Sequence, residues 1–133
     1  MNIFVDTSAF LAVLNETDQY HQKAKQLWTE VLASDTVLLS SNYVLLETTA
    51  LLQHRFGMDS VRLFENSLQP VIEVLWVEES IHKQGMGILI TANRRNLSLV
   101  DCISFEVMRQ ARLEKVFTFD PHFSEQGFIV LPG

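Results

Sequence analysis

Short apolar runs alternate along the chain with longer segments in which apolar residues recur every three or four positions. The short runs, which are rich in β-branched and aromatic residues, are typical of buried strands. The first of them is NIFV at residues 2–5. The others predict strands at residues 36–40, 71–77, 115–119 and 128–132.

The longer segments have the period of amphipathic helices. Residues 18–33 place their apolar side chains on one helical face, opposite the charged ones: Ala24, Leu27, Trp28, Val31 and Leu32. Further helices are predicted at residues 7–15, 43–56, 59–68, 79–95 and 97–113, with a helical turn over 120–127. Gly57 is expected to end the helix over 43–56. Its N-cap candidates are Ser40, Ser41 and Asn42.

Strands and helices alternate from one end of the chain to the other, without repeats or low-complexity tracts. The 133 residues are enough for one compact domain and leave little room for a second. The sequence therefore predicts a single α/β domain over residues 1–133 with a mainly parallel sheet. In such sheets ligands bind beyond the carboxyl ends of the strands, near the point where the strand order reverses.

Composition and charge narrow the function. The chain is 47% hydrophobic, 20% charged and has a formal net charge of −6, which lacks the basic excess of a nonspecific nucleic-acid binder. Binding to RNA would need local basic patches or bound cations. The single cysteine, Cys102, excludes an intrachain disulfide and suits a reducing cytosol. With no signal peptide and no apolar run of membrane-spanning length, we expect a cytoplasmic protein without membrane contact.

The first candidate for chemistry is Asp6, which interrupts the apolar stretch NIFVDTSAFLAVL just after the first predicted strand. Asp6, Thr7 and Ser8 are all favoured N-cap residues, so one interpretation is that they begin the next helix. The other interpretation is that the carboxylate holds a ligand at the strand end.

Glu47 lies in SNYVLLETTALL, on the same helical stripe as Val44 and Leu51. A carboxylate on an apolar face is costly to desolvate unless it is paired, protonated or bound to a metal. Pairing with Arg55 or Arg94, or a place at the edge of the stripe, would account for it. Metal binding accounts for it equally well.

Two more acidic residues have simple structural explanations. Asp101 follows Ser98 by three positions, which is the pattern of a capping box. Asp120 directly precedes Pro121, as a cap does before proline at the first helical position.

Together the four carboxylates form a pattern that capping does not predict. Asp6 and Asp120 each end a strand, while Glu47 and Asp101 lie on helices that begin near strand ends. These places share one edge of a parallel sheet. Acids gathered there would repel one another unless cations lay between them, and Mg²⁺ and Mn²⁺ prefer oxygen ligands of this kind. Such a site suits metal-dependent phosphodiester hydrolysis.

The motifs FVDTSAFLAVL, LLETTALL, LSLVDCISFEVM and FTFDPHF, in this order, resemble the PIN-domain family, and most of all its VapC-type ribonuclease toxins from prokaryotic toxin–antitoxin pairs. The resemblance implies a three-layer α/β/α sandwich with a five-stranded sheet of order 3-2-1-4-5. It also implies Mg²⁺- or Mn²⁺-dependent cleavage of RNA. By position, the catalytic and metal-binding residues would be Asp6, Glu47, Asp101 and Asp120. Thr7 and Ser8 would support them.

Family members are commonly homodimers and are inhibited by an antitoxin protein that reaches into the acidic groove, so the resemblance implies both partners. A non-catalytic PIN-like binding scaffold is the alternative function. A phosphatase of the D-x-D type is disfavoured because Ser8 replaces its second acid. Among lesser candidates, His122 is expected to be exposed in a helical first turn, Cys102 to be a small buried residue, and Phe119 to lie in the core.

Overall fold

A computed structural model describes all 133 residues and contains a single five-stranded sheet. Its strands are β1 (Asn2–Val5), β2 (Val37–Ser41), β3 (Ile72–Leu75), β4 (Lys115–Phe117) and β5 (Ile129–Leu131). All neighbouring pairs are parallel, and the spatial order is β3-β2-β1-β4-β5. The predicted α/β class and the strand order implied by the resemblance are both confirmed. The order reverses at β1, so the carboxyl ends of β1 and β4 are the expected place for a site.

The helices are α1 (Thr7–Leu14), α2 (His21–Leu32), α3 (Asn42–Phe56), α4 (Met58–Leu63), α5 (Glu79–Ala92), α6 (Leu99–Gln110) and α7 (His122–Glu125). Most lie within the predicted bounds and are shorter, because their ends turn into capping loops. The helix predicted over 59–68 instead divides into α4 and a π-helical turn at Phe64–Leu68. None of the helices is both long and apolar enough to cross a membrane.

Both faces of the sheet are covered. Ile3, Phe4 and Val5 of β1 are each 0% exposed, although successive side chains of a strand point to opposite faces. A central strand that is buried on both sides requires a helical layer on each face, which is the three-layer arrangement.

α5 and α6 pack closely because of one glycine. A Cβ added at Gly85 would clash with the side chain of Ile103 and would lie 3.2 Å from its Cα. Gly85 therefore lowers the helix propensity of α5 but allows its backbone to approach α6. Gly87, two residues on, has nothing within 4 Å of its Cβ position.

Candidate active site

The carboxyl ends of β1 and β4 meet at the edge predicted for the site. The backbone N–H of Asp6 donates to the carbonyl of Phe117 at 3.0 Å, which places Asp6 beside the segment that follows β4. That segment contains Thr118, Asp120 and the beginning of α7. Residues more than 100 positions apart in the chain are neighbours here, as the parallel topology requires.

The side chain of Asp6 does not cap a helix. Asp6 occupies the N-cap position of α1, but its side chain makes no capping hydrogen bond. It is 3% exposed, and its Oδ2 atom accepts hydrogen bonds from Ser8 Oγ and Thr118 Oγ1, both at 3.0 Å. Both side-chain donors thus bind the same carboxylate oxygen. Capping is therefore the wrong interpretation of this residue.

The two hydroxyl groups on Asp6 also fix the loop after β4. Ser8 Oγ accepts the backbone N–H of Phe119 at 2.9 Å, and Thr118 Oγ1 accepts that of Asp120 at 3.0 Å. Each hydroxyl thus accepts a hydrogen bond from a backbone N–H and donates one to the Asp6 carboxylate. Thr118 is a site residue that sequence reasoning missed. The only sequence signal for it is a short apolar run, KVFTF at residues 115–119, that is interrupted by a threonine.

Thr7 supports a different contact. Its hydroxyl accepts a hydrogen bond of 3.3 Å from Thr48 Oγ1, and both groups are buried. This bond joins the first turn of α1 to the second turn of α3, where Glu47 is the neighbour of Thr48. The hydroxyl of Thr7 therefore holds α3 against the site, while its backbone N–H donates to the Asp6 carboxyl and opposes the rise of that group's pKa.

Asp101 both caps α6 and lies in the site. The capping box predicted with Ser98 is present: Ser98 Oγ accepts the N–H of Asp101 at 3.0 Å, and Asp101 Oδ2 accepts the N–H of Ser98 at 3.3 Å. The same Oδ2 atom lies 3.6 Å from Nδ1 of His122. The capping box therefore fixes the position of the Asp101 carboxylate.

Asp120 and His122 form a compact turn. Asp120 Oδ1 accepts the backbone N–H of His122 at 2.9 Å and lies 2.8 Å from His122 Nδ1. The N-cap position of α7 is Pro121, one residue after the predicted cap. His122 is 8% exposed, so its expected exposure is wrong. The turn folds its ring back between Asp120 and Asp101, and ligand atoms of these three residues lie within 4.8 Å of one another.

Glu47 stands apart from this cluster. It is half-buried on α3, forms no ion pair and, like Asp6, is not among the three residues whose ligand atoms converge; unlike Asp6, it has no hydrogen bond to the segment after β4. The expected partners do not pair with it, because Arg94 binds Glu125 at 2.8 Å and Arg55 is exposed. Pairing with an arginine is therefore excluded, and Glu47 remains an unpaired carboxylate on the helix that Thr7 holds against the site.

Crowding and burial disfavour the charged carboxylates. Burial, followed by the charge of Asp101, raises the pKa of Asp6 from 3.8 to about 7. Burial, followed by the charge of Asp120, raises the pKa of Asp101 from 3.8 to about 6. No lysine or arginine forms an ion pair with Asp6, Asp101 or Asp120. A divalent cation would supply the missing positive charge, and the oxygen donors present suit one.

An aromatic pair lies at the rim of the cluster. Tyr20 and Phe119 stack with their ring centroids 4.5 Å apart and their planes at 4°. Phe119 is half-buried and packs against the core at its edge, where its ring also contacts that of Phe117. A hollow of about 440 Å³ extends from this pair to Asp120 and is bordered by Lys23. The hollow is open to solvent and large enough for a nucleotide-sized group.

A sequence model of the PIN domain matches residues 3–129 of the chain. The chain is 37% identical over 128 residues to the 23S rRNA-specific endonuclease VapC20 of Mycobacterium tuberculosis strain H37Rv, covering 96% of this chain and 95% of the relative. The crystal structure of M. tuberculosis VapC20, a toxin that cleaves the sarcin–ricin loop, superposes with a TM-score of 0.85 and 35% identity over 96% of each chain.

More distant structures share the fold. FitAcB from Neisseria gonorrhoeae superposes with a TM-score of 0.69 at 17% identity, covering 98% of this chain and 96% of that one. VapBC2 from Rickettsia felis, bound to a DNA fragment from its promoter, superposes with a TM-score of 0.72 at 12% identity, covering 98% and 97%. At these identities the likeness concerns the fold alone.

Proposed function

Since the chain belongs to the PIN-domain family, we propose that it is a metal-dependent endoribonuclease that acts as the toxin of a toxin–antitoxin pair. The observation that carries this proposal is the meeting of Asp6, Asp101 and Asp120 at the carboxyl ends of β1 and β4, where the pKa values of the first two are raised and no lysine or arginine pairs with any of the three. The 37% identity to a 23S rRNA-specific endonuclease supports RNA as the substrate class.

Asp6, Asp101 and Asp120 would hold a Mg²⁺ or Mn²⁺ ion, with Glu47 completing the acidic set from α3. A bound ion of this kind polarises the scissile phosphate and lowers the pKa of an attacking water molecule. The chain's own residues fix the carboxylates: Ser8 and Thr118 orient Asp6, and the capping box orients Asp101. These hydrogen bonds fix the carboxylates in place, and such fixed groups preorganise a site for charge.

The rim supplies contacts for the RNA chain. Tyr20 is 38% exposed and is held in place by its stack on Phe119, so its outer face is available to an unstacked base. Lys23 borders the same hollow and can bind a phosphate. We therefore expect a single-stranded or loop substrate, whose bases are free to stack.

Two protein partners complete the proposal: a second copy of the chain in a homodimer, and an antitoxin that covers the acidic groove. Large apolar side chains are exposed on several elements, among them Leu46 at 71%, Trp76 at 72% and Ile90 at 69%. Where such residues form a contiguous patch, they are typical of surfaces that bind other proteins. Leu46 precedes Glu47 on α3, which makes it a candidate contact for an antitoxin segment. We propose the cytoplasm as the place of action.

Cleavage of pooled cellular RNA tests the activity. We expect discrete fragments with Mn²⁺ or Mg²⁺, none with a chelator, and none from Asp6→Asn. Asp35→Asn, which alters an exposed aspartate in the turn before β2, should cleave normally. Asp6→Asn should remain folded, because it removes a buried charge and keeps an acceptor for Ser8 and Thr118.

Cleavage that persists in chelator or in Asp6→Asn would overturn the proposed mechanism. Folded protein that binds the metal but cleaves neither RNA nor a sarcin–ricin stem-loop would favour the binding scaffold. Sequencing the fragment ends identifies the target in the positive case.

A further inference from the structure

One nitrogen atom in the acidic site has no hydrogen-bond partner. His122 is 8% exposed, and its Nδ1 atom is buried without a hydrogen bond. It lies 2.8 Å from Asp120 Oδ1, but the two groups are not aligned for a hydrogen bond. The main-chain N–H of His122 already occupies that oxygen at 2.9 Å. A buried polar atom in a native protein usually has a hydrogen-bond partner. The unpartnered Nδ1 of His122 therefore points to a ligand that binds there.

The atoms around Nδ1 match the ligand set of a cation. Nδ1 and one carboxylate oxygen each from Asp101 and Asp120 lie within 4.8 Å of one another. Ligands held ~2.1 Å from one ion have separations close to this range. The three residues come from the start of α6 and the start of α7, so the fold, not a single loop, brings them together.

We infer that His122 is a metal ligand through Nδ1 and that it makes this site favour Mn²⁺ over Mg²⁺. Mg²⁺ strongly prefers oxygen ligands, whereas transition-metal ions accept imidazole nitrogen as well. The inference deepens the proposed function, and it rests on the metal site of that function, not on RNA cleavage. The rival role for His122 is that of a protonated counter-ion to Asp101 and Asp120, which would repel a metal instead of binding it.

The remaining histidines are engaged elsewhere or are remote from the acidic cluster. Nδ1 of His21 lies 2.8 Å from the carbonyl of Ala12, and Nδ1 of His82 lies 2.6 Å from the hydroxyl of Tyr43. His54 is exposed in the last turn of α3. Nitrogen bound to a metal in this protein can therefore be assigned to His122.

Pulsed electron paramagnetic resonance of Mn²⁺ bound to the metal-free protein tests this assignment. In protein labelled with ¹⁵N-histidine, we expect a ¹⁵N hyperfine coupling of a directly bound nitrogen. The coupling should disappear in His122→Asn, whose amide oxygen occupies nearly the place of Nδ1. It should remain in His54→Asn, the matched exposed control. The wild-type spectrum alone decides the point if His122→Asn does not fold.

Competition between the two ions gives an independent readout. When Mg²⁺ displaces bound Mn²⁺, we expect the preference for Mn²⁺ to fall about tenfold in His122→Asn and to stay unchanged in His54→Asn. Bound Mn²⁺ without nitrogen coupling, or an unchanged preference in His122→Asn, would overturn the inference and leave the proposed oxygen site standing. Failure to bind Mn²⁺ at all would overturn both the inference and the metal dependence of the proposed function.

Discussion

At the scale of single residues, Thr118 connects the two halves of the acidic site. It donates to Asp6 Oδ2 at 3.0 Å and accepts the N–H of Asp120 at 3.0 Å. It is 1% exposed, so bulk water does not compete with it for either hydrogen bond. Its hydroxyl therefore sets where both carboxylates lie. A buried hydroxyl whose donor and acceptor both form hydrogen bonds stabilises the fold and also fixes the site.

Replacement of Thr118 separates these effects. Thr118→Val keeps the shape of the side chain but leaves Asp6 with one hydroxyl donor and the N–H of Asp120 with none. We expect the free energy of unfolding to fall by ~1–3 kcal/mol, measured by urea denaturation. RNA cleavage should fall by about 10- to 100-fold, as for other residues that orient metal ligands. Thr118→Ser keeps the hydroxyl and should retain most activity. Equal activities of the two variants would contradict this role.

At the scale of elements, the α5–α6 pair positions Asp101. α6 carries Asp101 in its first turn, and the closest approach of α5 falls at Ile103, two residues further along the same helix. Gly85 is the residue that permits this approach. Glycine lowers the stability of a helix. At Gly85 it also permits the close spacing of α5 and α6, and this spacing helps to determine where Asp101 lies.

The two glycines of α5 make a matched comparison. Gly85→Ala should destabilise the protein by ~1–3 kcal/mol, because the new methyl group overlaps Ile103 and overpacks the helix pair. Gly87→Ala meets nothing within 4 Å and should stabilise the helix by ~0.5–1 kcal/mol. Thermal unfolding of both variants, followed by circular dichroism, measures the difference. Equal changes of the same sign would mean that α5 and α6 are further apart than described.

At the scale of the whole molecule, the site concentrates negative charge in a protein that is already acidic. The net charge is −6, and the pKa values of Asp6 and Asp101 are raised to about 7 and about 6. Folding without a metal therefore favours protons on these groups. A divalent cation would take the place of the protons and would let an acidic protein hold an RNA phosphate.

Stability should depend on pH in a direction that identifies these carboxyls. Because their pKa is higher in the folded chain than the unfolded value of 3.8, the folded state binds more protons between about pH 4 and pH 7. Their contribution to stability is full below about pH 4 and is lost as the pH rises through about 6 to 7. We expect the metal-free free energy of unfolding to fall across this window, measured by urea denaturation at several pH values.

Two changes should remove this fall. Asp6→Asn eliminates the group with the larger shift, and saturating Mn²⁺ favours the ionised carboxyls, so either should flatten or reverse the slope. Mn²⁺ should accordingly raise the melting temperature more at pH 8 than at pH 5. Identical melting curves with Mn²⁺ and with chelator at pH 8 would contradict metal binding at the cluster.

The sequence by itself determined the order of strands and helices, the parallel α/β class and the placement of Asp6 and Asp120 at strand ends. These follow from hydrophobic periodicity and cap residues, which act over a few neighbouring positions. It did not determine that His122 turns inward, that Thr118 bonds to Asp6, or that Glu47 is unpaired and apart from the cluster. Asp6 and Thr118 are 112 positions apart, so their contact depends on how β1 and β4 pair. Only tertiary packing brings such distant groups together, and it decided which carboxylates share a site.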